Sequence, residues 1–272
     1  MYKISLAGDL GSGKSTVSAI LMDKLGAEYY STGTIVRNIA SKYNMSVADL
    51  NVYMQEHPEI DREIDDGLVA LSDDPRMLII DSRMAWHFTR GTFKVYMSVD
   101  PTIAATRIMC AHRINEHNET LEETVRETAR RRASERLRYS QQYGVDITDL
   151  SNYSLVVDTS YATPEQIAEA IISGFEDWKE NKSYKRALIS PSRMKYPDET
   201  PDMMAAVRLS NLIDEGESVP EVRAVEKEGC FYAVSGAEVL HAYSLSCVYL
   251  APVTLVKEEV DTSSFVEMRL SL

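Results

Sequence analysis

The sequence predicts a three-layer α/β fold on a five-stranded parallel sheet, followed by a smaller α+β unit. Three observations carry this. From residue 1 to residue 180, short apolar runs alternate with stretches of helical periodicity, the pattern of strand–helix–strand crossovers. The first of those strands leads directly into a glycine-rich loop and a helix. Beyond a polar stretch, Glu180-Asn181-Lys182-Ser183-Tyr184-Lys185, the pattern changes, which divides the chain into a unit over residues 1–180 and a second over 186–272.

Taken in order, Tyr2-Lys3-Ile4-Ser5-Leu6-Ala7 alternates as a buried strand does, and Val17, Ile20, Leu21 and Leu25 then recur at helical spacing. Glu28-Tyr29-Tyr30 is a short strand running into Ser31-Thr32-Gly33, and the next helix carries Ile35, Arg37 and Ile39. Ser46 is placed as the N-cap of another helix, and Pro58 in the first turn of a third. Met77-Leu78-Ile79-Ile80 is a continuous apolar run ending in Asp81-Ser82-Arg83, as in a parallel strand covered on both faces. Its polar C-terminal end is where open α/β sheets bind ligands. Phe93-Lys94-Val95-Tyr96-Met97 and Leu155-Val156-Val157 complete the five strands, and a helix from Pro164 to about Trp178 closes the unit.

In the second unit Ala187-Leu188-Ile189 reads as extended and residues 201–214 as a helix. Val222-Arg223-Ala224-Val225 and Cys230-Phe231-Tyr232-Ala233-Val234 flank Glu226-Lys227-Glu228-Gly229, a hairpin with glycine in its turn. A helix over Ala237 to Leu245 and a strand over Pro252 to Val256 follow. At roughly 80 residues such a unit is near the lower limit for folding alone, so it is expected to dock on the first or to dimerise.

Composition excludes several classes. The chain has 272 residues and a net charge of −13, which repels nucleic acid phosphate and argues against broad DNA or RNA binding. No apolar run approaches the ~20 residues of a membrane span, and the N-terminus enters a strand at once, so neither a span nor a signal peptide is expected. Cys110, Cys230 and Cys247 are far apart, with no C-x-x-C spacing and no histidine at ligand spacing, so a disulfide framework or zinc site is not expected. Reduced thiols fit a cytoplasmic protein. His57, His87, His112, His117 and His241 are scattered, as core or surface histidines are.

The chemistry centres on Gly8-Asp9-Leu10-Gly11-Ser12-Gly13-Lys14-Ser15-Thr16, which fits G-x-x-x-x-G-K-[ST] between strand and helix. Glycines let the backbone approach phosphate oxygens, and the N–H groups at the helix start form an anion nest. Lys14 is placed on the β/γ-phosphates and the Ser15 hydroxyl on Mg²⁺. Asp81 is a candidate second metal carboxylate, or else an orienter of Arg83. Asp9 puts an anion inside the loop unless its side chain points outward. The stretch from Leu121 to Tyr143 is a charged helix with Arg126, Arg130, Arg131, Arg132, Arg136 and Arg138. Its ordinary reading is a solvated helix with i,i+4 ion pairs such as Glu127 with Arg131. A phosphate site that needs cations to close over it favours a lid.

With these pieces in hand, most of residues 1–175 resembles the cytidylate kinases of the compact archaeal type, within the nucleoside monophosphate kinases. The resemblance rests on the phosphate loop, Ser31-Thr32-Gly33 with Arg37, Pro58-Glu59-Ile60-Asp61-Arg62-Glu63 and Asp81-Ser82-Arg83-Met84-Ala85. It continues in Ser134-Glu135 with Arg138-Tyr139, Tyr143-Gly144-Val145-Asp146 and Asp158-Thr159-Ser160. It implies a P-loop kinase with a helical lid, transferring the γ-phosphoryl group of ATP to CMP or dCMP with Mg²⁺. By similarity, Arg37 and Arg83 grip the acceptor phosphate, and Arg131 and Arg138 reach the transferring group from the lid. Asp61 and Arg62 wall the acceptor side, and Ser31 lies beside the acceptor. The residues agree: a phosphate acceptor is already an oxyanion and needs alignment and charge neutralisation rather than a general base.

Two alternatives remain open at this level. On the same scaffold a hydroxyl acceptor would need Asp61 or Asp81 as its base. A nucleotide sensor would bind ATP or CMP in the first unit and signal through the second. The second unit resembles the ParB-like/sulfiredoxin fold in Val219-Pro220-Glu221-Val222, the hairpin and Val234 to Ala242. Ser235-Gly236-Ala237-Glu238 replaces the phosphate-handling element of active members, so a surface for dimerisation, regulation or a protein partner is expected there.

Overall fold

The computed structural model describes residues 2–111, 120–197 and 201–267. His112 and His117 lie outside the described residues. The chain opens with β1 (Lys3–Gly8), every residue of it buried, and the phosphate loop passes into α1 (Lys14–Leu25). Then come β2 (Glu28–Ser31), α2 (Thr32–Lys42), α3 (Val47–Glu56) and α4 (Pro58–Ala70). Ser46 caps α3 as expected, its hydroxyl accepting from Asp49 N at 3.0 Å, and Pro58 opens α4. β3 (Leu78–Asp81), the single turn α5 (Ala85–Phe88), β4 (Thr92–Ser98), α6 (Pro101–Cys110), α7 (Leu121–Tyr143), β5 (Leu155–Asp158) and α8 (Pro164–Glu180) complete the first unit.

The five strands pair in parallel in the order β2-β3-β1-β4-β5. Strand order reverses at β1, so the loop after β1 lies in the crevice where such sheets bind ligands. Strand alternation sends Ile4 and Leu6 to one face, against Val17 and Leu21 of α1 and Ile171, Phe175 and Trp178 of α8. The helices α2, α3 and α4 close a small core of their own around Ala40, Leu50, Met54 and Ile60.

The sheet does not stop at residues 181–185. β6 (Arg186–Ile189) pairs in parallel with β5. It is followed by β7 (Met194–Pro197), α9 (Met203–Asp214), β8 (Val222–Lys227), β9 (Cys230–Ser235), α10 (Ala237–Leu245), β10 (Ala251–Leu255) and β11 (Phe265–Glu267). The result is one eleven-stranded sheet, β11-β7-β9-β8-β10-β6-β5-β4-β1-β3-β2. The strands β7 and β11 carry no clear sequence signal, being four and three residues long. The core follows the sheet: Ala7, Trp86, Tyr96 and Val156 of the first unit share one cluster with Ile189, Tyr196, Phe231 and Leu240 of the second. The stretch 181–185 is itself pinned, with Lys182 Nζ 3.5 Å from the Trp178 ring centroid.

Candidate active site

The phosphate loop is built from close backbone approaches. Gly8 sits at φ +147°, and a Cβ there would stand 2.3 Å from Met97 O; at Gly11, φ +75°, it would stand 2.7 Å from Ala104 O. No side chain fits at either position, so the loop lies close against β4 and α6, with Asp9 N donating to Met97 O at 3.0 Å. Gly13, φ +81°, turns the chain into α1, and Lys14 is the first residue of that helix. Ser12 is buried, whereas Ser15 and Thr16 are exposed at the helix start.

Lys14 Nζ donates to three neutral oxygens: Gly8 O at 3.2 Å, Asp9 O at 3.0 Å and Ser12 Oγ at 3.5 Å. Shielding from water first, then the like charge of Arg83, lowers its pKa to about 8 against the pull of Asp81, Asp9 and Glu135. Arg83 is that second cation. Its Nη1 donates to the same Gly8 carbonyl at 2.7 Å, and its Nε pairs with Glu135 Oε2 at 2.8 Å. Burial works against the Arg83 charge, but Glu135, Tyr139, Tyr96 and Asp9 carry its pKa above the ordinary value. Glu135 also accepts from Arg131 Nε at 3.3 Å, so one carboxylate holds two arginines side by side.

The Asp9 carboxylate is turned toward β4 and α7. Its Oδ1 accepts from the Tyr96 hydroxyl at 2.7 Å, its Oδ2 from Val99 N at 3.1 Å, and Arg132 Nη1 stands 3.5 Å from Oδ1. The anion in the loop is thus neutralised from behind, as an outward-pointing side chain allows. Asp81 Oδ2 accepts from the Tyr29 hydroxyl at 2.8 Å, and Tyr29 also interacts with Ser15 and Ser31. Burial first, then the Asp81 charge, raises the Tyr29 pKa to about 12, so it stays a donor at neutral pH.

The remaining expected residues are placed as follows. Ser31 caps α2, accepting from Thr34 N at 3.3 Å. Arg37 donates to Thr34 Oγ1 at 3.0 Å on the same helix, and Arg62 is exposed on α4. Among the described residues no hydrogen bond or ion pair ties Arg37 or Arg62 to the group around Lys14. Arg138 donates to Tyr139 OH at 3.0 Å and feels the charges of Asp61 and Glu135. Lys14, Arg83, Glu135 and Arg131 therefore form one cluster, with Arg138 and Asp61 at its edge.

Tyr29 and Arg107 join the site unannounced by the sequence, and Glu135, part of the resemblance but given no role by it, gains one. Glu135 had a signal: it stands four residues after Arg131 and three before Arg138, on one helical face. Tyr29 and Arg107 had none. Arg107 Nη2 donates to Thr159 O at 2.7 Å and its Nη1 to Gly11 O at 3.4 Å, tying the phosphate loop to the turn after β5.

The donor set fits Mg²⁺ as kinases hold it, by one or two protein oxygens together with nucleotide phosphates: the Ser15 hydroxyl and the Asp81 carboxylate are joined through Tyr29. Among the described residues no cluster of three or more His, Cys, Asp or Glu could form a protein-only metal cage. No described helix is long and apolar enough to cross a membrane. A cavity of 1010 Å³ lies along the other face of α7, between the lid, the phosphate loop and the β8–β9 turn.

A model of the cytidylate kinase-like family matches residues 3–161. The chain is 33% identical over 192 residues to a cytidylate kinase of Thermoplasma volcanium, covering 69% of this chain and 98% of that one. It is 35% identical over 172 residues to a cytidylate kinase of Sulfolobus acidocaldarius, covering 62% of this chain and 92% of that one. It is also 33% identical over 175 residues to an S-adenosylmethionine-dependent nucleotide dehydratase of Lacinutrix mariniflava, covering 64% of this chain and only 36% of that longer protein.

Proposed function

The chain belongs to the cytidylate kinase-like family and is a nucleoside monophosphate kinase, and from that premise we propose that it transfers the γ-phosphoryl group of Mg-ATP to CMP or dCMP. One observation carries the reading: two cations, Lys14 and Arg83, share the single carbonyl of Gly8. Their mutual repulsion is relieved when a polyanion enters between them.

In this reading the loop amides and Lys14 hold the β- and γ-phosphates. Ser15 and Asp81 would hold Mg²⁺, which would supply neutralisation of phosphate charge. Arg83, aimed by Glu135, takes the acceptor phosphate together with Arg37, which α2 carries on the acceptor side. Arg131 and Arg138 bring positive charge to the transferring group from the lid, and Glu135 keeps Arg131 close beforehand. Asp61 and Arg62 wall the acceptor pocket, with Ser31 beside it. The acceptor oxygen is already ionised, so Asp81, occupied by Tyr29, is not required to remove a proton. The planar forks of Arg83, Arg131 and Arg138 match phosphate oxygens in pairs.

ADP release from Mg-ATP in the presence of CMP, dCMP, UMP, AMP, GMP or no acceptor tests this. Stimulation by CMP or dCMP alone is expected. A flat panel with intact ATP binding overturns it. Asp61→Asn, at a carboxylate given no part in holding Mg²⁺, then sorts the acceptor class: a modest fall fits a phosphate acceptor, near-complete loss a hydroxyl.

A further inference from the structure

Phosphoryl transfer, as laid out above, makes no use of three charged residues at the back of the lid, Asp9, Arg132 and Glu226. They come from the phosphate loop, from α7 and from β8 of the second unit, and all three border the cavity behind the lid. Arg132 follows Arg131 by one residue, so its side chain leaves the helix about 100° further round. Arg131 faces Glu135 and Arg83, whereas Arg132 faces Asp9, with Glu226 and Asp146 also acting on its charge. The rotation of α7 about its axis is thus gripped from two sides.

The second grip has a rigid footing. The turn after β8 is closed by Gly229 N donating to Glu226 Oε1 at 2.6 Å. Gly229 is at φ +84°, and a Cβ there would stand 3.0 Å from Arg132 Nη1, so the turn leaves room for the guanidinium. Arg193 Nη2 holds Gly229 O at 2.7 Å, while its Nη1 is bound to Ser98 Oγ at 2.8 Å and Asp158 Oδ1 at 3.0 Å, at the ends of β4 and β5. Hydrogen bonds therefore run from the sheet through Arg193 to the hairpin turn, the turn stands beside Arg132 of the lid, and Arg132 pairs with Asp9 of the phosphate loop. The groups that face Glu226 are Arg132, Arg136 and Asp9; a charged Glu226 is attracted to the lid by two arginines.

We propose that the 226–229 turn of the second unit is a positioning element of the lid: Glu226, together with Asp9, holds Arg132 and so sets the rotation of α7 that aims Arg131 and Arg138 at the phosphates. Its effect on turnover rests on the kinase reading; its effect on α7 does not. Glu226 and Arg132 are positioning residues here, and the second unit becomes part of the catalytic apparatus without touching substrate.

The experiment uses the full chain and the variants E226Q, R132M, R132K and E226Q/R132M. Amide hydrogen exchange over residues 121–143 is measured with and without Mg-ATP, together with kcat, the KM for CMP and the unfolding midpoint. The expected result is faster exchange confined to 121–143 in E226Q, with kcat down roughly tenfold, about the worth of one charge-assisted contact, and KM for CMP little changed. R132M should show the same loss, R132K should recover part of it, and the double variant should be no worse than R132M alone. Wild-type exchange and kcat in E226Q overturn the proposal, as do losses that multiply in the double variant, or faster exchange spread over the whole chain with a lowered midpoint. If the wild-type chain phosphorylates no acceptor, the kinase reading fails by itself, and exchange in 121–143 still decides the role of Glu226.

Discussion

Lys14 and Arg193 are two cations drawn out of water in opposite ways. Arg193, its side chain 4% exposed, reaches an Asp158 carboxylate that is 0% exposed, and adds Ser98 Oγ, Gly229 O and the face of Phe231 at 5.0 Å. Asp158 is saturated in turn by Ser160 N, Ser160 Oγ and Ser190 N. Lys14 has two carbonyls and a hydroxyl, all neutral, and a like charge beside it. A charge with its counter-charge and every lone pair occupied is scaffold. A charge hydrogen-bonded only to dipoles, next to another of the same sign, has room for an anion. The first ties the two units together at β5; the second lies at the site proposed for phosphate.

The largest expected effect breaks the scaffold side. Arg193→Met leaves Asp158 buried and unpaired, and urea unfolding should show a loss of about 3–5 kcal/mol. The double variant R193M/D158N should recover most of it. Stability unchanged in R193M would mean that the pair is no more structural than Lys14.

The next sharpens the site side through pH. The pKa of Lys14 in the free protein lies at about 8, and bound phosphates favour its charged form. Binding Mg-ATP therefore takes up a proton when performed near pH 8, and affinity falls as pH rises through that value, by up to about tenfold per unit above it. Calorimetry in buffers of different ionisation enthalpy measures the uptake. No uptake at pH 8 would mean that Lys14 is as satisfied as Arg193. Tyr29, with its pKa raised to about 12, does not contribute to this profile.

The smallest effect is on the link between Asp81 and β2, where Tyr29 donates to the carboxylate. Tyr29→Phe removes the 2.8 Å bond to Asp81 and should lower kcat/KM by roughly 0.5–1.5 kcal/mol in transition-state terms, with the fold intact. A change confined to stability would place Tyr29 with the scaffold.

Much of the first unit was legible because its signals are local. The apolar runs of β3 and β4, the capping serine at 46, Pro58 at a helix start and the glycines of the phosphate loop act over a few residues, and each is found where the pattern placed it. The hairpin with Gly229 in its turn was legible for the same reason. The site was legible in its types but not in its bonds. Lys14, Arg83 and Arg131 could be named, but not Glu135 as the carboxylate that holds two of them. The polar stretch 181–185 read as a break between units, yet the pairing of β6 with β5 carries the sheet across it. Polarity reports exposure of a segment, not the hydrogen bonding of the strand that follows.

By itself, the sequence determined most of the strands and helices, the glycine turns of the loop after β1 and which cations are at hand, since propensity, periodicity and glycine geometry act over one or two turns of chain. The tertiary structure decided which way Asp9 points, what Arg193 is for and where the sheet ends. Tyr96 is 87 residues from Asp9 and Arg193 is 35 from Asp158. Contacts at such separations carry no periodic trace in the chain, because the free energy that orders them comes from burying both partners together in one packed interior.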